Sequence, residues 1–253
     1  MGLFSGGRKS TVRAEPKQAE APKLRDAQLA AASYGNPLGG DLYDFFRVSP
    51  NRVVFGLLDV AGRREHNRQI VTATQQVFRA SAAELFATPD VNDANSMMEL
   101  CLRLNRTVLT TAEGICPCPA FAGCYHEDLG TVCYFNAGHT PGLVRDGTGI
   151  SELPATGLPL GLFSHVTCDA LMVGLEPAAA LLLVSRGMLE TRNKHQEFGL
   201  NGVKAAFSKA DLGNAAGICQ SLLDTSCRSA VHNDVTALAL VRHAIATAVA
   251  TSG

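Results

Sequence analysis

The sequence predicts an α+β fold, a two-layer antiparallel β-sandwich flanked by helices, on three observations. Apolar, β-prone runs come first and a pair of helical patterns follows. Strands then resume, two further helical patterns come next, and one strand closes the chain. This segregated order belongs to α+β domains rather than to alternating α/β ones. Successive runs are joined by the hairpin signals Ser49-Pro-Asn51 and Glu127-Asp-Leu-Gly130, which favour antiparallel neighbours. At 253 residues, with 46% hydrophobic and 18% charged, the chain is long enough for one sizeable core.

Residues 1–25 read as a disordered tail, because Gly, Ser, Pro, Lys and Arg dominate and almost nothing apolar follows Phe4. The folded domain is expected over 26–245, with 246–253 a second short tail. Strands are expected at Gln28 to Ser33, Leu42 to Val48 and Val53 to Val60, paired as one three-stranded antiparallel unit. A helix follows over Glu65 to Phe86, with Ile70, Ala73, Thr74, Val77 and Phe78 on one face. A second spans Asn92 to Thr111, with Met97, Met98, Cys101, Leu104, Asn105 and Val108 at helical spacing. Strands return at Ala120 to His126, Thr131 to Asn136, Leu143 to Arg145, Cys168 to Gly174 and Ala179 to Ser185. Helices at Leu200 to Lys209 and Asn214 to Ser226 precede a last strand, Val235 to Arg242.

A net charge of −1 leaves no basic footprint for nucleic acid. The longest apolar stretch, near Ala178 to Val184, falls far short of the ~20 residues of a membrane helix. No signal-peptide core opens the chain, so a soluble, cytoplasmic protein without membrane insertion is expected. The eight cysteines lie mostly within apolar runs and read as reduced, buried thiols. Cys116-Pro-Cys118 with Cys124 lacks the paired spacing of a zinc site.

Two carboxylates carry the functional reading. The run Arg52-Val-Val-Phe-Gly-Leu-Leu-Asp-Val-Ala-Gly62 is an apolar strand ending in Asp59 and a glycine turn. Burying an acid there is costly unless a cation, a hydrogen-bond network or chemistry uses it; the plain alternative is a cap for the helix near Glu65. Upstream, Gly39-Gly-Asp-Leu-Tyr-Asp-Phe-Phe46 leads two glycines into Asp41 and a strand. Glycines allow close backbone approach, and carboxylate oxygens with a backbone carbonyl are the ligands hard divalent cations prefer. Gly39-Gly-Asp-Leu-Tyr-Asp44 and Leu57-Leu-Asp-Val-Ala-Gly62 resemble the first two metal-site motifs of the metal-dependent PPM (PP2C-like) protein phosphatases, in their bacterial SpoIIE-type branch.

The resemblance extends over residues 28 to 243. Asn136-Ala-Gly-His-Thr-Pro-Gly-Leu143 is similar to the family's Asn-Ala-Gly-His-Asn-Pro-Pro, and Gly157-Leu-Pro-Leu-Gly-Leu162 to its Gly-x-Pro-Leu-Gly. His139 offers a general acid or a ligand, while its place in an Ala-Gly turn suits a hydrogen-bonded turn-former. Three departures stand out. In Leu181-Leu-Leu-Val-Ser-Arg-Gly187, Arg186 takes the place where the resemblance puts an aspartate ligand, and a guanidinium cannot ligate a cation. In His232-Asn-Asp-Val-Thr236, Asn233 falls at the usual ligand position and Asp234 just after it, and a one-residue shift would exchange them. After Asp59, Gly62-Arg-Arg-Glu-His66 replaces a small Gly-His-Gly-like turn, where Arg63 or Arg64 would suit a phosphate.

The resemblance implies a serine/threonine phosphatase that hydrolyses phosphoserine or phosphothreonine on a regulatory protein with water activated by Mn2+ or Mg2+. By that resemblance Asp59 bridges two cations, and Asp41 with the Val60 carbonyl completes one site. The second rests on Asp59, Arg186 and Asn233 and is weakened in charge. Asp41, Asp59 and Arg186 are thus the catalytic candidates, and Asp41, Asp59, Val60, Asn233 and Asp234 the metal candidates. The alternative is a pseudophosphatase that binds a phosphoprotein without turnover. The implied partner is a phosphorylated protein such as an anti-sigma factor antagonist, and the sequence leaves the oligomeric state open.

Overall fold

The computed structural model describes residues 20–34, 40–60, 64–112, 114–165, 168–193, 196–226 and 234–244. The expected two-layer sandwich is present. One sheet has the order β1-β12-β9-β6-β7, formed by β1 (Ala27–Tyr34), β12 (Val235–Arg242), β9 (Ala180–Val184), β6 (Gly142–Asp146) and β7 (Gly149–Leu153). The other has the order β2-β3-β4-β5-β8, formed by β2 (Asp41–Ser49), β3 (Arg52–Asp59), β4 (Ala120–His126), β5 (Thr131–Ala137) and β8 (Leu171–Gly174). Helices α1 (Arg64–Leu85) and α2 (Asp93–Thr111) cover the second sheet. Helices α4 (Gly199–Phe207) and α5 (Ala215–Ser226) cover the first.

Because both faces of each sheet are covered, β3 is apolar throughout rather than alternating, and only residue parity tells its faces apart. Val54 and Leu58 pack under α1 and α2 with Phe78, Leu100 and Leu104. Val53, Phe55 and Leu57 enter the layer between the sheets, where Phe121, Leu181, Leu183, Leu238 and Leu240 meet them. The same alternation holds in β12, whose Leu238 and Leu240 face the other sheet while Ala237 and Ala239 face α5. This parity decides where the acids point.

Several expectations are corrected. β1 does not join β2 and β3; it pairs with β12 in the opposite sheet, Ala27 opposite Arg242 through Tyr34 opposite Val235. The β2–β3 hairpin alone therefore brings the two acids together. Cys168 stands outside β8 in an isolated bridge to Gly157. Strand β7, the short helix α3 (Arg186–Glu190) and the two-residue strands β10 (Arg192–Asn193) and β11 (Gln196–Glu197) were not expected. β7 is polar and mostly exposed, so it lacks the apolar alternation that marks a strand. Met98 is 36% exposed, and Leu100 takes the core position instead.

The helix-facing row of β2 carries one charge. Asp44 is buried and accepts hydrogen bonds from Arg79 Nε and Nη2, at 2.6 Å each, and from Gln75 Nε2 at 3.1 Å. Arg79 in turn lies 5.2 Å over the Phe46 ring. Removing one member of a buried pair strands the rest. Asp44→Ala is expected to lower unfolding stability by about 3 kcal/mol in urea titration, and a loss below about 1 kcal/mol would show that α1 does not depend on this clamp.

Candidate metal centre at the end of the sandwich

Asp41 and Asp59 stand directly opposite each other at the ends of β2 and β3. Counting along β3 by twos from Val53 through Phe55 and Leu57 places Asp59 in the row facing the other sheet, and its register partner Asp41 shares that face. The opposite sheet answers with residues of the same parity. Thr236 Oγ1 donates to Asp41 Oδ2 at 2.8 Å, and the Ser185 hydroxyl also hydrogen-bonds that carboxylate. Ser185 and Thr236 are locked together, Ser185 N–H donating to Thr236 O at 2.9 Å and Thr236 N–H to Ser185 Oγ at 3.0 Å. The site is the place where the two sheets are stitched across their ends.

The backbone closes around it. Asp59 N–H donates to Pro119 O at 2.9 Å, and Val60 N–H donates to Gly40 O at 2.9 Å. Gly40 has a φ of +146°, and a Cβ there would lie 2.8 Å from Val60 O. Only glycine fits so close to that carbonyl. Burial pushes the Asp41 carboxyl up to about 7, against the hydroxyls of Ser185 and Thr236, with the charges of Asp59 and Asp234 adding to the rise. Asp59 is also raised, by burial first; Arg186 opposes the rise, while Glu190 and Asp234 add to it. Two under-compensated acids in a partly buried setting, with the Val60 carbonyl and the hydroxyls of Ser185 and Thr236 beside them, have the oxygen donors that suit a hard divalent cation.

Arg186 enters from the other sheet as the first residue of α3. Its Nε lies 3.4 Å from Asp59 Oδ2 and 3.5 Å from Glu190 Oε1, one turn along the helix. The side chain is 57% exposed, so one flank touches the acids and the rest meets solvent. The structure thus brings Asp41, Asp59, the Val60 carbonyl and Arg186 to one place, and the field of Asp234 reaches both acids. Asn233, Arg63 and the side chain of Arg64 lie outside the described residues. Among the described residues no three His, Cys, Asp or Glu side chains gather as a metal cluster. Ser185, Asn67 and Glu190 were missed from sequence; for Ser185 the signal was parity, since it continues the row of Leu181 and Leu183.

His139 lies in the turn, not at the acids. Its N–H donates to Asn136 Oδ1 at 2.8 Å, and Gly138 supplies the positive φ of 66° that the turn requires. Thr140 Oγ1 gives its proton to Val184 O, which leaves His139 Nδ1 as the donor to Thr140 and Nε2 bare. Nε2 is buried, with no hydrogen-bond partner among the described residues. Burial therefore lowers the His139 pKa to about 4. A base held neutral below its unfolded pKa contributes fully above pH ~6.5 and loses that contribution as pH falls toward 4. His139→Gln is expected to flatten the acid limb of the stability curve in this window, by at most about 3 kcal/mol. An unchanged pH dependence in urea titrations at pH 7 and 4.5 would contradict the neutral assignment.

The family model described as Stage II sporulation protein E (SpoIIE) matches residues 49–243. Phosphoserine phosphatase RsbP of Bacillus subtilis (strain 168) is 27% identical over 170 residues, 64% of this chain and 40% of RsbP. The crystal structure of the RsbU and RsbW domains of a Mycobacterium tuberculosis protein superposes with a TM-score of 0.74 at 19% identity, over 88% of this chain and 63% of that one. RsbX in complex with magnesium superposes with a TM-score of 0.66 at 11% identity, over 88% of this chain and 98% of RsbX. The chain thus spans about two fifths of RsbP and under two thirds of the mycobacterial chain. Among the described residues no helix is long and apolar enough to cross a membrane.

Proposed function

The chain belongs to the SpoIIE family, and from that premise we propose that it is a metal-dependent protein serine/threonine phosphatase working with one firmly held divalent cation and Arg186. The single observation that carries this reading is the opposition of Asp41 and Asp59 at the strand ends with Arg186 Nε 3.4 Å from Asp59. Asp41, Asp59 and the Val60 carbonyl would hold the cation, and Asp234, whose charge is felt by both acids, is a further metal candidate. The magnesium held by RsbX, a protein of the same fold, supports the choice of a hard cation. Such a cation lowers the pKa of the attacking water and neutralises charge on the phosphoryl oxygens.

The chain's own groups do the rest. Thr236 and Ser185 orient Asp41 by hydrogen bonds from the opposite sheet. Arg186 supplies a permanent positive charge beside Asp59, and its exposed flank offers donors to two oxygens of an incoming phosphoryl group. The same charge opposes a second divalent cation at Asp59. The substrate is a phosphorylated regulatory protein, consistent with the phosphoserine phosphatase RsbP among the relatives. An anti-sigma factor antagonist is the finer proposal.

The test is hydrolysis of a phosphoserine peptide by the purified chain with millimolar Mn2+, with Mg2+, and with chelator. Metal-dependent release of phosphate is expected. Phosphopeptide binding without any release under all three conditions would replace the enzyme by a binding module.

A further inference from the structure

Val60 is held at both of its backbone polar groups: its N–H donates to Gly40 O at 2.9 Å, and its carbonyl oxygen accepts from Asn67 Nδ2 at 2.9 Å. Asn67 lies in the first turns of α1, is 1% exposed, and sits close to the space a Cβ on Gly40 would fill, 3.5 Å from that point. Asn67 thereby links the helix that begins at Arg64 to the end of β3. It takes one of the carbonyl's two lone-pair directions, the other meeting no donor among the described residues, and it sets the plane in which that second one lies.

We propose that Asn67 is a positioning residue that aims the Val60 carbonyl at the cation and couples α1 to the metal centre. The inference rests on the one-cation reading above. The remaining lone pair serves as a ligand only while the carbonyl keeps its direction, and Asn67 fixes that direction from α1, seven residues further along the chain. Partners that orient a metal ligand typically change affinity 10- to 100-fold when removed.

Mn2+ binding to the full chain, followed by the electron paramagnetic resonance signal of free Mn2+, tests this without reference to activity. Asn67→Ala, and Asn67→Ser should the first variant fold poorly, are compared with wild type and Asp59→Asn, and thermal midpoints without metal are read beside them. The expected result is a roughly tenfold or greater loss of Mn2+ affinity in the folded Asn67 variants. Wild-type affinity kept within about twofold, whatever happens to the metal-free midpoint, assigns Asn67 a merely structural role and overturns the inference while leaving the one-cation reading intact. If wild type itself binds Mn2+ no better than Asp59→Asn, the one-cation reading falls and this inference with it.

Discussion

Asp59→Asn is expected to lower Mn2+-dependent kcat/KM on a phosphoserine peptide by roughly a thousandfold or more, equivalent to about 4 kcal/mol of transition-state stabilisation. The substitution is nearly isosteric and leaves the bond from the residue's N–H to Pro119 O untouched, so the hairpin end stays in place. What it removes is the one carboxylate that both faces Asp41 across the register and contacts Arg186. An amide oxygen in that place still binds a cation but supplies no charge. Steady-state kinetics over a Mn2+ series decide the matter. Retention of more than about a tenth of wild-type activity at saturating metal would mean that Asp59 is a helix cap or a structural acid rather than part of the reacting site.

The second large effect concerns Arg186. Arg186→Ala should lower kcat about a hundredfold, the size expected when one preorganised charge on a developing oxyanion is lost, while Mn2+ affinity stays equal or improves. Stability should hardly change, because a pair with one member 57% exposed contributes at most about 1 kcal/mol. The split between rate and stability separates a role in chemistry from one in packing. Arg186→Asp sharpens the test. An aspartate there repels Asp59 and Glu190 and removes the fixed cation, so activity should fall further. A rise in activity would mean instead that the site is a two-metal centre disabled by Arg186.

Much of the site was legible in the sequence because its acids come with strong local punctuation. Asp59 ends an uninterrupted apolar run, and Asp41 follows two glycines, one of which has a conformation and a clearance no other residue tolerates. Arg186 was visible as a charge in the wrong place for a ligand. His139 was ambiguous between a turn and a catalyst, and the structure assigns it to the turn because its N–H meets Asn136 and its Nε2 has no hydrogen-bond partner among the described residues. Asn67 carried no signal at all, since an asparagine inside a helical pattern reads as an ordinary polar position.

By itself the sequence determined the period-two rows, the order of the long strands and helices and the terminal placement of the acids, all of which depend on neighbours a few residues apart. Tertiary structure alone decided which sheet β1 joins, and it brought Thr236 onto Asp41 across 195 residues and Arg186 onto Asp59. The reason is physical. Parity settles on which face of its own sheet a side chain lies, but which strand ends meet across the sandwich depends on how two separately formed sheets stack, and that is settled by packing of the layer between them.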